Sequence, residues 1–359
     1  MTAVATQQTP NALAAGKLPR WAPWVGIGIA LAVSFAISTV MFLANPAGEF
    51  PVAGAIVVGA LFYLVGIVTA SALVEGRRKA VDRFVTSLVV GAFLVAMIPL
   101  VSVTITVVAN GLARFDPEFF SSSMRNVQGE GGGALHAIVG TVLITLTAAV
   151  ISIPVGLMTS IYLVEYGKGA LARGITFFVD VMTGIPSIVA GLFAYALFAI
   201  ILGPGVKLGV AGAIALSVLM IPVVVRSSEE MLRIVPNELR EASFALGVPK
   251  WLTILKVVLP TSIAGIMTGV MIAIARVIGE TAPLLIAAGF TASMNYNLLE
   301  GPMNSLPLYV YTQYVQQGNP VEAYIDRAWA GALTLILIVM LLNVLARLFS
   351  RVFAPKLGR

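Results

Sequence analysis

The chain of 359 residues has no cysteine and a single histidine, His136. Disulfides and thiolate metal sites are therefore excluded, and the redox character of the compartment leaves no mark on the sequence. Charge is scarce too: charged residues make up 11% against 59% hydrophobic, and the mean hydropathy is +0.98. No water-soluble domain of this length has such a composition, so the chain is a polytopic membrane protein. A Gly-x-x-x-x-Gly-Lys-Ser/Thr loop is missing, so the chain does not itself cradle ATP. Neither His-Glu-x-x-His nor Gly-x-Ser-x-Gly occurs, which argues against an intramembrane hydrolase.

What is present is a series of apolar runs. Spans of about 20 residues are expected near residues 22–44, 51–74, 84–108, 135–163, 175–202, 208–228, 261–287 and 328–349. The first run is too long for a cleaved signal peptide and lacks a small-residue cleavage site. Eight spans put both termini on one side. All the basic residues except Arg114, Arg125, Lys207, Arg327 and the intramembrane Arg276 then fall on that side. The positive-inside rule makes it the cytoplasm. The net charge of +6 thus reports topology, and nucleic acid is not an expected partner.

Residues 1–20, with Pro10, Asn11 and Pro19, read as a flexible cytoplasmic tail. The first two spans form a hairpin closed by an outside turn at 45–50 and followed by a basic linker, 75–83. They hold no ionisable group and read as a packing accessory. The glycine-rich run 129–133 in the first large outside loop reads as a flexible linker, and His136 as a structural hydrogen-bonder. Pro186 is expected to bend the fifth span and free the carbonyl of Met182, either as a packing kink or as part of a polar path. The outside segment 291–327, with Tyr296, Tyr309, Tyr311, Tyr314 and Tyr324, suits a surface touched by a partner.

Ionisable groups inside spans point to a site. An arginine at mid-span costs on the order of 3 kcal/mol, so it normally faces the bundle interior or a polar path. Arg276 and Glu280 are four apart, hence on one helical face, and Gly279, Thr281 and Pro283 make the helix irregular there. A planar guanidinium suits a tetrahedral oxyanion, and Glu280 can accept a hydrogen bond from a protonated one such as monobasic phosphate. The two could instead simply neutralise each other. With Asp180, Ser187 and Thr281 they make up the expected substrate path.

Residues 241–260, EASFALGVPKWLTILKVVLP, form a mixed polar and apolar stretch that reads as a loop rather than a span. Asn237 is placed to cap a helix starting at Glu238, with Glu238 and Glu241 at its positive end. Gly247 ends that helix, and Pro249 suits the first turn of another. Leu239, Ala242 and Leu246 fall on one face, with Arg240, Glu241 and Ser243 elsewhere around it. The expectation is a short amphipathic knob on a stiff hinge.

The spacing of Glu241, Ala242, Ser243, Gly247, Val257, Leu259 and Pro260 resembles the cytoplasmic coupling loop of ABC importer permeases, whose short helix docks into a cleft on an ATPase. Ser243 stands where alanine is usual, and Val257 where isoleucine is frequent. Arg276, the string IGETAPLL at 278–285, GIPSIVAG at 184–191 and the segment 132–141 narrow the resemblance to PstA-type permeases of phosphate-specific ABC importers, over about 84–359.

That resemblance implies an all-α polytopic membrane protein: a six-helix type I ABC importer core at 84–359, with its coupling loop at 229–260, preceded by the tail (1–20) and by an extra hairpin and linker (21–83). It implies a multi-pass subunit of the bacterial plasma (inner) membrane that binds no cofactor or metal itself. Its implied partners are a PstC-type second permease, two PstB-type ATPase copies carrying ATP and Mg, and a PstS-type extracytoplasmic phosphate-binding protein. Leu239, Arg240, Glu241, Ala242, Ser243, Leu246 and Gly247 are the implied ATPase-coupling residues. A sulfate or molybdate permease of the same architecture stays open, as does a secondary anion transporter, although intramembrane carboxylates are few and no internal repeat is obvious.

Overall fold

The structure, a computed structural model, describes residues 16–44 and 50–353. Most of the expected tail (1–15), nearly all of the expected outside turn (45–49), and Lys356 and Arg359 of the basic C-terminal end lie outside the described residues. Every regular element among the described residues is helical. By contacts the chain divides into two compact units, Met1–Thr104 and Ile105–Arg359.

In the first unit, α1 (Ala22–Ala44) and α2 (Val52–Val74) pair as the expected hairpin. Gly59 sets their closest approach: a Cβ there would stand 2.9 Å from Leu31. Gly76, at φ +89°, ends α2, and α3 (Arg77–Gly111) begins at once. The basic linker expected at 75–83 is thus mostly the first turns of a 35-residue helix. Glu75 ties this corner together, accepting from Leu18 N–H (3.0 Å), Ser71 Oγ (2.9 Å) and Arg83 Nε (2.7 Å). The Arg83 hydrogen bond holds its carboxyl well down, at about 2.

The second unit begins in α3 and adds α4 (Pro117–Ser121), α5 (Leu135–Ile161), α6 (Gly169–Thr183), α7 (Ser187–Leu202) and α8 (Gly209–Ile234). It continues with α9 (Asn237–Ala245), α10 (Lys250–Thr253), α11 (Leu259–Val277), α12 (Ala282–Ala287), α13 (Leu306–Val315) and α14 (Val321–Phe353). Among the described residues seven helices are long and apolar enough to cross a membrane, or up to eight if the bent pair α6 and α7 counts as one span. The core forms around α8, packed by α5 and α11. Small residues allow the close fit: a Cβ at Gly156 would meet Val224 at 2.7 Å, and one at Gly269 would meet Ser227 at 2.4 Å.

Two expected spans change form. The fifth is not one kinked helix, since α6 and α7 meet at 109°. Pro186 has no N–H to continue the ladder, and Gly184 caps α6. The Met182 carbonyl is not left free either, because the Ile185 amide takes it at 3.3 Å. The seventh starts earlier than expected: α10 passes through a π-helical turn (Ile254–Val258) straight into α11, so residues 250–260 open the span instead of preceding it. It also ends earlier, at Val277.

The loops expected on the outside form a second packed layer with Phe119, Leu306 and Tyr309 fully buried. The run 129–133 is held, not loose. Arg327, 0% exposed, donates to the carbonyls of Gly129 (2.6 Å) and Gly131 (2.9 Å), and Arg114 donates to that of Gly132 (2.9 Å). Positive φ at Gly129, Gly131 and Gly132 lets the backbone turn its carbonyls inward. His136 contacts Asn304 at 3.2 Å, and Thr141 Oγ1 accepts from the Leu306 amide at 2.7 Å. Of the tyrosines expected on a partner surface, Tyr296, Tyr311 and Tyr314 are exposed.

Gly140 lies against the backbone of this layer, where a Cβ would come within 1.9 Å of the Asn304 carbonyl oxygen. Gly140→Ala should therefore destabilise the protein by about 1–3 kcal/mol. The check is a lowered melting temperature in detergent, with Gly66→Ala, where a Cβ meets nothing within 4 Å, leaving it level or higher.

Candidate functional site

The expected knob is α9. Pro236 occupies the capping position, so the helix starts at Asn237 and no side chain caps it. The cap expected from Asn237 is absent, and its Oδ1 is instead approached by Arg240 Nη1 at 3.4 Å. Gly247, at φ +75°, closes the helix, with its own amide on Phe244 O (2.9 Å) and that of Val248 on Ser243 O (3.2 Å). Leu239 is 42% and Leu246 83% exposed, and Ala242 between them is exposed as well. Glu241 is exposed on the same helix. Ser243 points inward and bonds Thr253 Oγ1 at 2.8 Å, joining α9 to α10.

Arg240 also points inward. Its Nε donates to Glu165 Oε1 at 3.0 Å, Nη1 to Val235 O at 2.6 Å, and Nη2 to Leu232 O at 3.0 Å. The side chains of Arg240 and Glu165 are 12% and 6% exposed. Glu165 belongs to the π-helical turn Tyr162–Tyr166 that ends α5. Lys250 Nζ donates to the Glu165 carbonyl oxygen and stands 4.8 Å from the centre of the Tyr166 ring. Sequence reasoning missed Glu165 altogether and took Lys250 only as part of a charge pattern. The one available signal was a lone carboxylate at the C-terminal end of an apolar run.

In the membrane, α11 stops at Val277 and α12 resumes at Ala282. Arg276 is exposed in the last turn of α11, while Glu280 and Thr281 are half-buried in the break. Because the helix ends between them, Arg276 and Glu280 do not share a helical face, and no ion pair joins them among the described residues. Ser187 is half-buried at the start of α7. The string 184–191 meets 278–285 directly: a Cβ at Gly191 would lie 2.6 Å from Pro283 Cα, so α7 and α12, the two helices that follow breaks, pack backbone to backbone.

Asp180 stands apart from this group. It pairs with Arg226, which also bonds Glu229 at 2.8 Å, and Glu229 bonds Arg233 at 2.6 Å. The chain of four charges links α6 to α8.

Comparison with known proteins bears on this arrangement. A family described as binding-protein-dependent transport system inner membrane component matches residues 152–359, which include α9, Glu165 and both breaks. The phosphate transport system permease protein PstA 1 of Mycobacterium tuberculosis is 47% identical over 273 residues, covering 75% of this chain and 88% of that protein. The chain belongs to the PstA family of binding-protein-dependent transport permeases. A PstA of Yersinia pestis is 37% identical over 294 residues, covering 79% of this chain and 96% of its own. A solved chain of a bacterial alginate ABC transporter, in complex with an alginate pentasaccharide-bound periplasmic protein, matches with a TM-score of 0.54 at 12% identity. It covers 76% of this chain and 96% of its own, a likeness of fold alone. As an ABC importer permease, the PstA-family chain is a multi-pass inner-membrane subunit that works with another permease, an ATPase and a binding protein.

Irregular backbone at membrane depth is tolerated only where it is covered by protein or lines water. A Cβ at Gly279, in the α11–α12 break, meets nothing within 4 Å. In this cysteine-free permease, a thiol from Gly279→Cys should react with a hydrophilic maleimide in membranes. One from Ile272→Cys, on the exposed apolar side of α11, should not.

Proposed function

We propose that this chain is the permease subunit of an ATP-driven importer of inorganic phosphate, and that the segment 237–260 couples closure of the ATPase to alternating access. The observation that carries the coupling is the outward apolar face of α9, with Leu239, Ala242 and Leu246 uncovered on a cytoplasmic helix whose other side is bound to the bundle. A helix presenting such a face lies well in a partner's groove. Phosphate as substrate follows from the PstA relatives and suits Arg276 beside the break, a cation with no ion pair among the described residues.

In this reading the chain binds no cofactor and is not itself catalytic. ATP and Mg lie on two PstB-type ATPase copies beneath, and a PstC-type permease completes the second half. A PstS-type protein delivers phosphate to the outer loops. Both termini lie in the cytoplasm, as the basic residues require. Arg276 offers two parallel donors to phosphate oxygens, and Glu280 accepts a hydrogen bond from the hydroxyl of the monobasic ion, a donor that fully ionised sulfate lacks. Thr281 and Ser187 line the same path between α7 and α12. Asp180 acts through Arg226 at the α6–α8 joint. ATP-driven closure pushes the α9 helices together and rocks the spans between inward- and outward-open states.

Labelled-phosphate uptake in cells lacking and then regaining this chain tests the reading, with excess sulfate leaving uptake unchanged. Arg276→Ala should cut uptake at least tenfold with the complex intact. Ala242→Glu should remove the ATPase from the purified complex. Full uptake by Arg276→Ala would refute the path assignment, and competition by sulfate would point to a permease for another oxyanion.

A further inference from the structure

Arg240 sits on the docking helix yet faces away from any partner. Its guanidinium is spent on Glu165 at the end of α5 and on the Leu232 and Val235 carbonyls where α8 ends. Lys250, at the start of α10, grips the same turn through the Glu165 carbonyl and the Tyr166 ring. Three helices that begin or end at the cytoplasmic face therefore meet on one residue, and both cations satisfy carbonyls that helix ends leave over. Beyond this knot, among the described residues α9 is held by two backbone links, Val235–Pro236 and 246–249 with its left-handed Gly247, by the Ser243–Thr253 bond and by packing on the π-helical turn Ile254–Val258.

We infer that Glu165 is a positioning residue for transport: with Arg240 it forms the mount through which force on α9 enters the membrane by way of α5 and α8 together. This rests on the coupling role proposed above. Helices α5 and α8 are packed along their length, with Gly156 against Val224 and Ser152 Oγ 3.5 Å from Ser217 O. They are therefore driven as one lever. Arg226 on α8 carries the displacement to Asp180 on α6, and α11, which bears Arg276, packs on the same α8. Cutting the knot leaves the docking face in place but lets α9 swing on its backbone links.

The test uses the complete complex of both permeases and ATPase in proteoliposomes, supplied with binding protein, phosphate and ATP. For Glu165→Ala, ATPase should remain in the complex at wild-type ratio and ATP hydrolysis should continue, while phosphate imported per ATP falls at least tenfold. Glu165→Gln, which keeps an acceptor oxygen for Arg240 but loses the charge, should fall less. Because the chain has no cysteine, the pair Glu165→Cys and Arg240→Cys can be bridged by a short bis-methanethiosulfonate. The bridge should restore the ratio, and reductant should abolish it again. A residue that only supports folding would lower complex yield without moving this ratio. An unchanged ratio, loss of the ATPase from the Glu165 variants alone, or no recovery on bridging would each overturn the inference. Absence of the ATPase from the wild-type complex would overturn the coupling role and this inference with it.

Discussion

In hydrocarbon every backbone N–H and C=O must find a partner inside the protein, and the architecture follows from where that rule is kept by helices and where by packing. Helices α1, α2 and α3 each run as one helix, α3 with Pro99 inside it. The ladder breaks at Gly184–Pro186 and at 278–281, and the helices that resume after these breaks, α7 and α12, lie against each other through Gly191 and Pro283. Irregular backbone is thereby gathered into one region, where Arg276, Glu280, Thr281 and Ser187 also fall. The proposed substrate path and the broken helices are two consequences of one constraint.

A chain with so few charges places each of them tellingly. Toward the end of α8 that leads into α9 they form two joints, Glu165 with Arg240 and Lys250, and Asp180 with Arg226, Glu229 and Arg233. The Glu165–Arg240 pair is buried. Such a pair adds little to net stability once desolvation is counted but constrains geometry strongly, because removing one partner strands the other in a poor dielectric. Asp180, at 61% exposure, is instead paired in solvent and held more weakly. A buried joint of the Glu165–Arg240 kind suits the coupling role proposed for α9. The joints in the loops expected outside, Arg327 on the glycine run and Arg114 with Asp116 and Glu118, constrain those loops. Burial pushes the Asp116 carboxyl up, but the Phe119 amide and the Arg114 guanidinium more than offset it and hold it below the usual carboxylate range.

The glycines divide by cause. Gly247 and the outer glycines provide left-handed backbone, while Gly140, Gly156 and Gly191 provide space where another helix or loop comes too close for a Cβ. The segment 132–141 thus has a plain steric reason, since Gly140 and Thr141 together seat the backbone at 304–306.

Much was legible in one dimension because it depends on near neighbours. Runs of apolar residues determined the helical class and the spans, Gly247 determined where α9 ends, and the pattern Leu239, Ala242, Leu246 determined its apolar face. The spacing of 241–260 with the strings 184–191 and 278–285 pointed to the family. What the tertiary structure alone decided concerns partners far apart in sequence. Glu165 meets Arg240 across 75 positions, Arg327 reaches Gly129 across 198, and Gly191 touches Pro283. Helical periodicity places Arg240 on a side of α9, but only the packed bundle makes that side the inner one. Likewise Pro186 and the break after Val277 announce irregularity, yet the bend of 109° and the loss of a shared face for Arg276 and Glu280 depend on which helices receive the freed ends. Local propensity acts within a few residues, whereas the direction a side chain faces is set by whatever packs against its helix.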